Sequence, residues 1–389
     1  MELEFRKFET LTEVLEDLEK QHVSGYQKYK ALNRYVILKA RYHDIPVKGS
    51  FELTPFCNLD CKMCYVHLKP NQIGQNEGLL TVEEWKRIMS QAVDAGMVYA
   101  TLTGGECLTY PGFKEVYLHL YSLGIQPDIL TNGRLLTEEM LTFFKKYPPG
   151  SIQVTLYGSS EEAYEEVTGH RVFQQVIDGI ERAKEARLNL VLAVTPSRYM
   201  QNDVERLLDK VHSFNVPYAI SDTTLKARAE TERDLADYAV ELDTMRKIKL
   251  IEKEYSASQK SIDQVINPIE YVPVKKKALK GLQCGGAHSS FHVNWRGEVC
   301  PCIGFAPSVH YSALEAGFAE AWECVKQAML QFAPPDECKD CRLKEYCVTC
   351  PAEKTQSVLN GRLDCSVCKR LKQYLIDREA YQADACTLI

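Results

Sequence analysis

Between Val47 and about Thr224, short apolar and β-branched runs alternate with helix-patterned runs six times, and no other feature restricts the fold of this chain as much. Strict alternation of this kind is the pattern of βα units around a parallel sheet. The strands read as Val47 to Thr54, Met97 to Thr103, Ile125 to Thr131, Ser151 to Tyr157, Leu188 to Thr195 and Val216 to Ile220. Helical patterns lie between them at Thr81 to Gly96, Phe113 to Ser122, Thr137 to Tyr147, Phe173 to Ala186 and Asp203 to Phe214. Thr81 and Glu84 make a capping box, Trp85, Ile88, Met89 and Val93 recur at helical spacing, and Gly96 suits the position after the last turn. Six units are too few to close an eight-stranded barrel, so the expected fold is α/β with an open-sided barrel.

The loop after the first strand carries Cys57-Asn58-Leu59-Asp60-Cys61-Lys62-Met63-Cys64. Three thiolates at short spacing are one fewer than an iron-sulfur cube takes, and the vacancy suggests chemistry at the metal. Alone, the run also fits part of a zinc site or a ferredoxin cluster completed by a distant cysteine. Its place after a first strand, ahead of five further βα units, resembles the radical S-adenosylmethionine (SAM) superfamily. That resemblance implies a partial TIM barrel, (β/α)6, over residues 47–224. It also implies that Cys57, Cys61 and Cys64 bind a 4Fe-4S cluster whose open iron is chelated by SAM. Met63 stands where the family pattern has an aromatic residue, and a polarizable thioether can take that role.

Ligands of parallel α/β folds bind at the carboxyl ends of the strands. Gly104-Gly105-Glu106 ends the second strand and is similar to the family's Gly-Gly-Glu motif, which implies a contact to the SAM amino group. Thr131 and Asn132 end the third strand, where the resemblance implies a lining of the SAM pocket, although Asn132-Gly133 is also a simple turn signal. The resemblance further implies a SAM ribose or carboxylate contact at Thr155 on the fourth strand and matches Arg171 to the family's carboxylate-binding arginine. Cys107 reads as a small buried hydrophobe.

Of fifteen cysteines, eleven lie beyond residue 283, and clustering of this kind in a large chain points to metal rather than disulfides. The order is Cys284, Gly297, Cys302, then Cys338-x2-Cys341-x5-Cys347-x2-Cys350, then Cys365-x2-Cys368. It resembles the SPASM domain, with one residue fewer than usual between Cys347 and Cys350. The resemblance implies two auxiliary 4Fe-4S clusters. Cys284, Cys302 and Cys350 would serve the first, and Cys338, Cys341 and Cys347 with Cys365 or Cys368 the second. The first cluster then either takes Cys300 or keeps an open iron. Paired CxxC groups also occur in zinc ribbons. Phe291 to Val299 reads as a β-hairpin turning at Asn294 to Gly297; Cys324 and Cys386 fit no cluster pattern.

The expected organisation is a helical extension over 1–46, the barrel over 47–224, a helical connection over 225–280 and a cysteine-rich unit over 281–389. The extension, helix-like at Thr12 to His22, is short for a separate winged-helix domain. A formal charge of -6 gives no reason to expect nucleic-acid or anionic-membrane partners, and Lys275-Lys276-Lys277 reads as a solvated face. The N-terminus lacks an apolar signal core and no stretch reaches the length of a membrane span, so a cytoplasmic location is expected.

The resemblance implies an enzyme that makes a 5′-deoxyadenosyl radical and oxidatively modifies a peptide, with or without a leader segment, by a thioether or carbon-carbon crosslink. It implies a flavodoxin or ferredoxin as electron donor. Ser221 to Glu230 resembles a stretch of peptide-maturing relatives. Oxidation of a sulfatase Ser or Cys, peptide epimerisation, and an iron-sulfur carrier or scaffold without SAM turnover are the alternatives.

Overall fold

A computed structural model describes residues 4–21, 25–74, 78–221, 238, 240–258, 269–273, 284–306 and 308–332. In chain order the elements are β1 (Glu4–Phe8), α1 (Leu11–Lys20), α2 (Gly25–His43), β2 (Lys48–Glu52), α3 (Val82–Asp94), β3 (Tyr99–Thr103), α4 (Phe113–Ser122) and β4 (Asp128–Thr131). Next come α5 (Glu138–Lys146), β5 (Ile152–Leu156), α6 (Glu161–Thr168), α7 (Phe173–Glu185), β6 (Leu190–Val194), α8 (Val204–Ser213), β7 (Tyr218–Ile220) and α9 (Leu242–Ser258). The last are β8 (Ile269–Pro273), β9 (Ser290–Val293), β10 (Glu298–Cys300), β11 (Tyr311–Ser312), α10 (Ala313–Ala316) and α11 (Phe318–Met329).

Strands β2 to β7 are parallel and hydrogen-bonded in chain order. With their crossover helices they form the expected open (β/α)6 partial TIM barrel. Alternation along each strand sorts the two faces of the sheet. Phe51 meets Trp85 of α3 edge to face at 6.3 Å, so the Phe51 side of β2 packs on the helices and Ser50 and Glu52 face the opposite, concave side. The helix side forms one continuous apolar core through Phe51, Leu102, Ile129, Val154 and Leu192, all fully buried.

The helix ends follow local chemistry. Thr81 Oγ1 accepts the Glu84 amide at 3.3 Å while Glu84 Oε2 accepts the Thr81 amide at 2.8 Å, completing the expected capping box. Gly96 follows α3 at φ 112°, a conformation that side chains resist.

Three features were absent from the sequence reading. The crossover from β5 to β6 holds two helices, because Ser160 caps α6 and Gly169, at φ 73°, stops it. Residues 4–43 hold a strand and a second, longer helix besides the expected one. Residues 225–280, expected as a helical connection, include α9 but also β8, which pairs in parallel with β1 from Glu4 opposite Ile269 to Phe8 opposite Pro273.

The hairpin over Phe291 to Val299 is present, and Asn294 Oδ1 holds its turn by accepting the amides of Arg296 and Glu298 at 3.0 and 3.1 Å. Its position is the unexpected part. β9 pairs in parallel with β2, so β11-β10-β9 extend the barrel sheet to nine strands among the described residues. Gly49 permits this: a Cβ there would lie 2.5 Å from the Phe291 ring, which packs edge to face on Phe51 at 5.8 Å. On the concave side the same pairing seals His292 beside Ser50 and Glu52. His292 Nε2 lies 3.4 Å from Glu52 Oε2, with both side chains 1% exposed.

Among the described residues no helix is long and apolar enough to cross a membrane.

Candidate functional site

The cysteine loop leaves β2 at its carboxyl end and is fastened on two sides. The Gly105 amide donates to Thr54 O at 2.7 Å and the Glu106 amide to Phe56 O at 2.8 Å, so the Gly-Gly-Glu turn runs directly under the start of the loop. A Cβ on Gly105 would fall on the Phe56 carbonyl, which is the physical need for glycine there. On the other side, the amides of Asp60 and Lys62 donate to Thr168 O and Val167 O at 3.0 and 2.9 Å, tying the loop to the end of α6.

Glu106 is fully buried and clasps two strand ends together. Its carboxylate accepts from the amides of Asn132 and Leu108 at 2.8 and 3.1 Å and from the Thr131 hydroxyl at 2.9 and 3.0 Å. Burial pushes its pKa up, and these donors pull it back toward the ordinary carboxylate range. Asn132 reaches onward, its Nδ2 lying 2.7 Å from Asn58 Oδ1 and 3.6 Å from Cys57 Sγ. Arg134 Nη1 donates to Asn58 O at 2.6 Å.

Two sulfurs of the loop also accept backbone amides, Leu59 N to Cys57 Sγ at 3.4 Å and His67 N to Cys64 Sγ at 3.2 Å. Amides aimed at sulfur stabilise thiolate charge, so this donor set fits an iron-sulfur cluster. Without metal, burial first and Glu106 second push the Cys57 thiol up to about 12. Coordination by a cation reverses that preference and holds the sulfur as thiolate. Among the described residues no three His, Cys, Asp or Glu side chains converge on one ion site. A cube does not require this, because each thiolate binds a different iron.

Cys57, Gly104, Gly105, Glu106, Thr131 and Asn132 are therefore brought together. Thr155 lies on the concave face of β5 opposite Ala193, half-buried, and its carbonyl accepts the Tyr164 hydroxyl at 3.5 Å. Arg171 is not drawn into the hydrogen bonds around Glu106; its guanidinium is on the outer surface, at 2.5 Å from Glu162 and 3.0 Å from Glu165. Cys107 is buried and its Sγ donates to Leu130 O at 3.3 Å, as suits a small core residue.

In the hairpin region Cys284 and Cys302 are half-buried. Cys300 is fully buried on β10 opposite His292, with Sγ 3.5 Å from Glu298 O. Cys324 lies on α11. Cys338, Cys341, Cys347, Cys350, Cys365, Cys368 and Cys386 lie outside the described residues, as does the Ser221 to Glu230 stretch after its first residue.

Sequence reading missed Tyr157, which follows the last residue of β5. Burial, then the nearby thiols of Cys61, Cys57 and Cys64, push its phenol upward, which places it beside the loop. Its position just past a strand's carboxyl end was the available signal. Asn58 and Arg134 were also missed, and nothing in their local pattern marks them.

Comparison with known proteins agrees with this geometry. The Radical SAM superfamily profile matches residues 51–211. The antilisterial bacteriocin subtilosin biosynthesis protein AlbA of Bacillus subtilis is 24% identical over 266 residues, covering 67% of this chain and 56% of that protein. The PqqA peptide cyclase of Bradyrhizobium diazoefficiens is 26% identical over 269 residues, covering 66% and 67%. The AdoMet-dependent heme synthase of Methanosarcina barkeri is 24% identical over 326 residues, covering 78% and 90%. Among solved structures, Streptococcus suis SuiB bound to S-adenosylmethionine superposes with a TM-score of 0.66 at 15% identity, covering 91% of this chain and 86% of that one. Native anSMEcpe with bound AdoMet gives 0.62 at 17%, covering 86% and 98%. This chain thus spans only about half to two thirds of the length of AlbA and the PqqA cyclase. With the cysteine loop and the Gly-Gly-Glu clasp inside the matched segment, and the half-barrel running a few residues past both of its ends, residues 51–211 are a radical SAM domain.

Proposed function

We propose that this protein is a radical SAM enzyme that oxidatively modifies a ribosomally made peptide, forming a thioether or carbon-carbon crosslink. The observation that carries the reading is the fastening of the cysteine loop to Glu106 through Asn132 at the carboxyl end of an open half-barrel. Cys57, Cys61 and Cys64 would hold a 4Fe-4S cluster, and Gly104, Gly105, Glu106, Thr131, Asn132 and Thr155 would line the SAM pocket. A cluster with SAM supplies one chemistry, reductive cleavage of the sulfonium to a hydrogen-abstracting 5′-deoxyadenosyl radical. The electron comes from a flavodoxin or ferredoxin.

Cys284, Cys302 and Cys350, with Cys300 or an open iron, would hold a first auxiliary cluster. Cys338, Cys341 and Cys347 with Cys365 or Cys368 would hold a second. Auxiliary clusters suit an oxidative outcome, because the electron left on the substrate needs an acceptor. The relatives named for subtilosin biosynthesis and PqqA cyclisation support a peptide substrate.

The test is anaerobic turnover of the reconstituted protein with SAM, dithionite and candidate peptides encoded beside its gene. Expected are 5′-deoxyadenosine release and a peptide lighter by two hydrogens, both lost in Cys57→Ala. Deuterium uptake from solvent without mass loss indicates epimerisation, and oxidation of a sulfatase Ser or Cys indicates that alternative. No 5′-deoxyadenosine from iron-replete protein would leave a carrier or scaffold. The heme synthase relative, matched over 90% of its length, favours one further reading in which the substrate is a haem precursor. A haem precursor that stimulates 5′-deoxyadenosine release where peptides do not would establish it.

A further inference from the structure

We infer that Asn132 sets the reduction potential of the SAM-binding cluster by donating its side-chain amide to the Cys57 thiolate. The inference deepens the proposed function and rests on that reading's cluster at Cys57, Cys61 and Cys64.

Amide orientation at an asparagine is decided by its partners. Here the Arg134 backbone amide donates to Asn132 Oδ1 at 3.0 Å, which fixes the oxygen on that side. The NH2 group therefore points the other way, 3.6 Å from Cys57 Sγ and 2.7 Å from Asn58 Oδ1. The residue is 6% exposed, so water does not compete for this donor. Its own backbone amide is spent on Glu106 Oε2 at 2.8 Å. One residue thus joins the carboxylate clasp to a cluster sulfur and is held rigidly by both.

Hydrogen bonds to cluster sulfurs are among the determinants of potential. A reduced cluster carries more negative charge, so a donor at sulfur favours the reduced state. Removing the donor makes the cluster harder to reduce. Hydrogen bonds to charged groups are the strong ones, and the part that differs between redox states is enough for about a tenfold change in the reduced-to-oxidised ratio. For one electron, tenfold corresponds to about 59 mV.

The experiment is an EPR-monitored redox titration of the full-length, iron-replete protein. The signal that SAM perturbs identifies this cluster, and its midpoint is then measured without SAM. Asn132→Leu removes the donor at similar volume, and Asn132→Asp keeps the oxygen for Arg134 while replacing the donor with a carboxylate. Both are expected to lower the midpoint, by about tenfold in the ratio for leucine and further for aspartate. Arg134→Ala removes a brace of the loop and a positive charge without touching the donor, and is expected to lower the midpoint by less than either Asn132 variant.

Unchanged midpoints in both Asn132 variants would overturn the inference, as would an equal shift in Arg134→Ala. Iron-free Asn132 variants beside an iron-replete Arg134→Ala would also overturn it, by making Asn132 a builder of the loop. Failure of the wild-type protein to show any SAM-responsive cluster is a separate result, which refutes the proposed function itself.

Discussion

Consider breaking the buried pair between Glu52 and His292. The two groups come from strands more than two hundred residues apart and lie 3.4 Å from each other at 1% exposure. In so dry a site the attraction between a carboxylate and an imidazole is largely offset by the desolvation of both groups. The pair therefore adds little net stability, while removing one member takes a close partner from the other in a dry interior, at about 3–5 kcal/mol. Glu52→Leu and His292→Leu should each lower the unfolding free energy by about that amount. The double variant should fall short of the sum by at least about 1.5 kcal/mol, as expected of directly coupled residues. Urea unfolding followed by tryptophan fluorescence suits the question, because Trp85, Trp295 and Trp322 are all buried in and beside this junction. Losses that simply add would refute the coupling and leave two unrelated packing defects.

Other outcomes follow from the same structure. Gly105→Ala should strain the Phe56 carbonyl, lowering stability by about 1–3 kcal/mol and reducing iron uptake measured by metal analysis. Thr81→Ala should cost about 1 kcal/mol through the lost cap of α3, read from the thermal midpoint. Backbone and side-chain hydrogen bonds from Thr81 hold Glu84 below its usual range, so this contribution is present above the ordinary glutamate pKa and lost as pH falls through the lowered one. Thr81→Ala should shrink that acid limb only in part, because the backbone amide, the larger cause, remains. Burial lowers the pKa of His212, which stacks on Tyr255 at 3.5 Å and lies 3.2 Å from the Tyr218 hydroxyl. Its depressed value means stability falls as pH drops below the ordinary histidine range, and His212→Phe should remove that slope in pH-dependent unfolding.

The barrel was legible because its signals are local and repeated. Strand cores from Lys48–Glu52 to Tyr218–Ile220 and caps such as Thr81 and Thr137 stand in the sequence as period and capping chemistry. The clustering of Glu106 with Thr131 and Asn132 was legible only as strand ends that a parallel fold gathers together. What escaped was long-range. No local pattern says that β8 pairs with β1, or that Phe291 fills the space over Gly49. Asn58 and Arg134 look like ordinary loop residues until the fold brings them to Asn132. Arg171 shows the reverse case, since its place before Val172-Phe173 suited the family's arginine while Glu162 and Glu165, nine and six residues earlier on α6, hold its guanidinium.

The seat of β9 against β2 bears on how such a chain can be cut and recombined. A division before residue 284 would leave the barrel with a bare strand edge along β2, an empty slot above Gly49 and a glutamate exposed without its histidine. Exposed edges of that kind recruit foreign strands, so a shortened barrel is expected to aggregate rather than persist as a working unit. The productive boundary for a chimera lies past α11, whose Phe318 and Trp322 pack on Phe291, beyond the last strand among the described residues. Because β2 leads into the cysteine loop and β9 is bracketed by Cys284 and Cys302, the two sets of thiols are spaced by backbone ladder bonds. An insertion in the intervening chain can lengthen the connection without moving them apart.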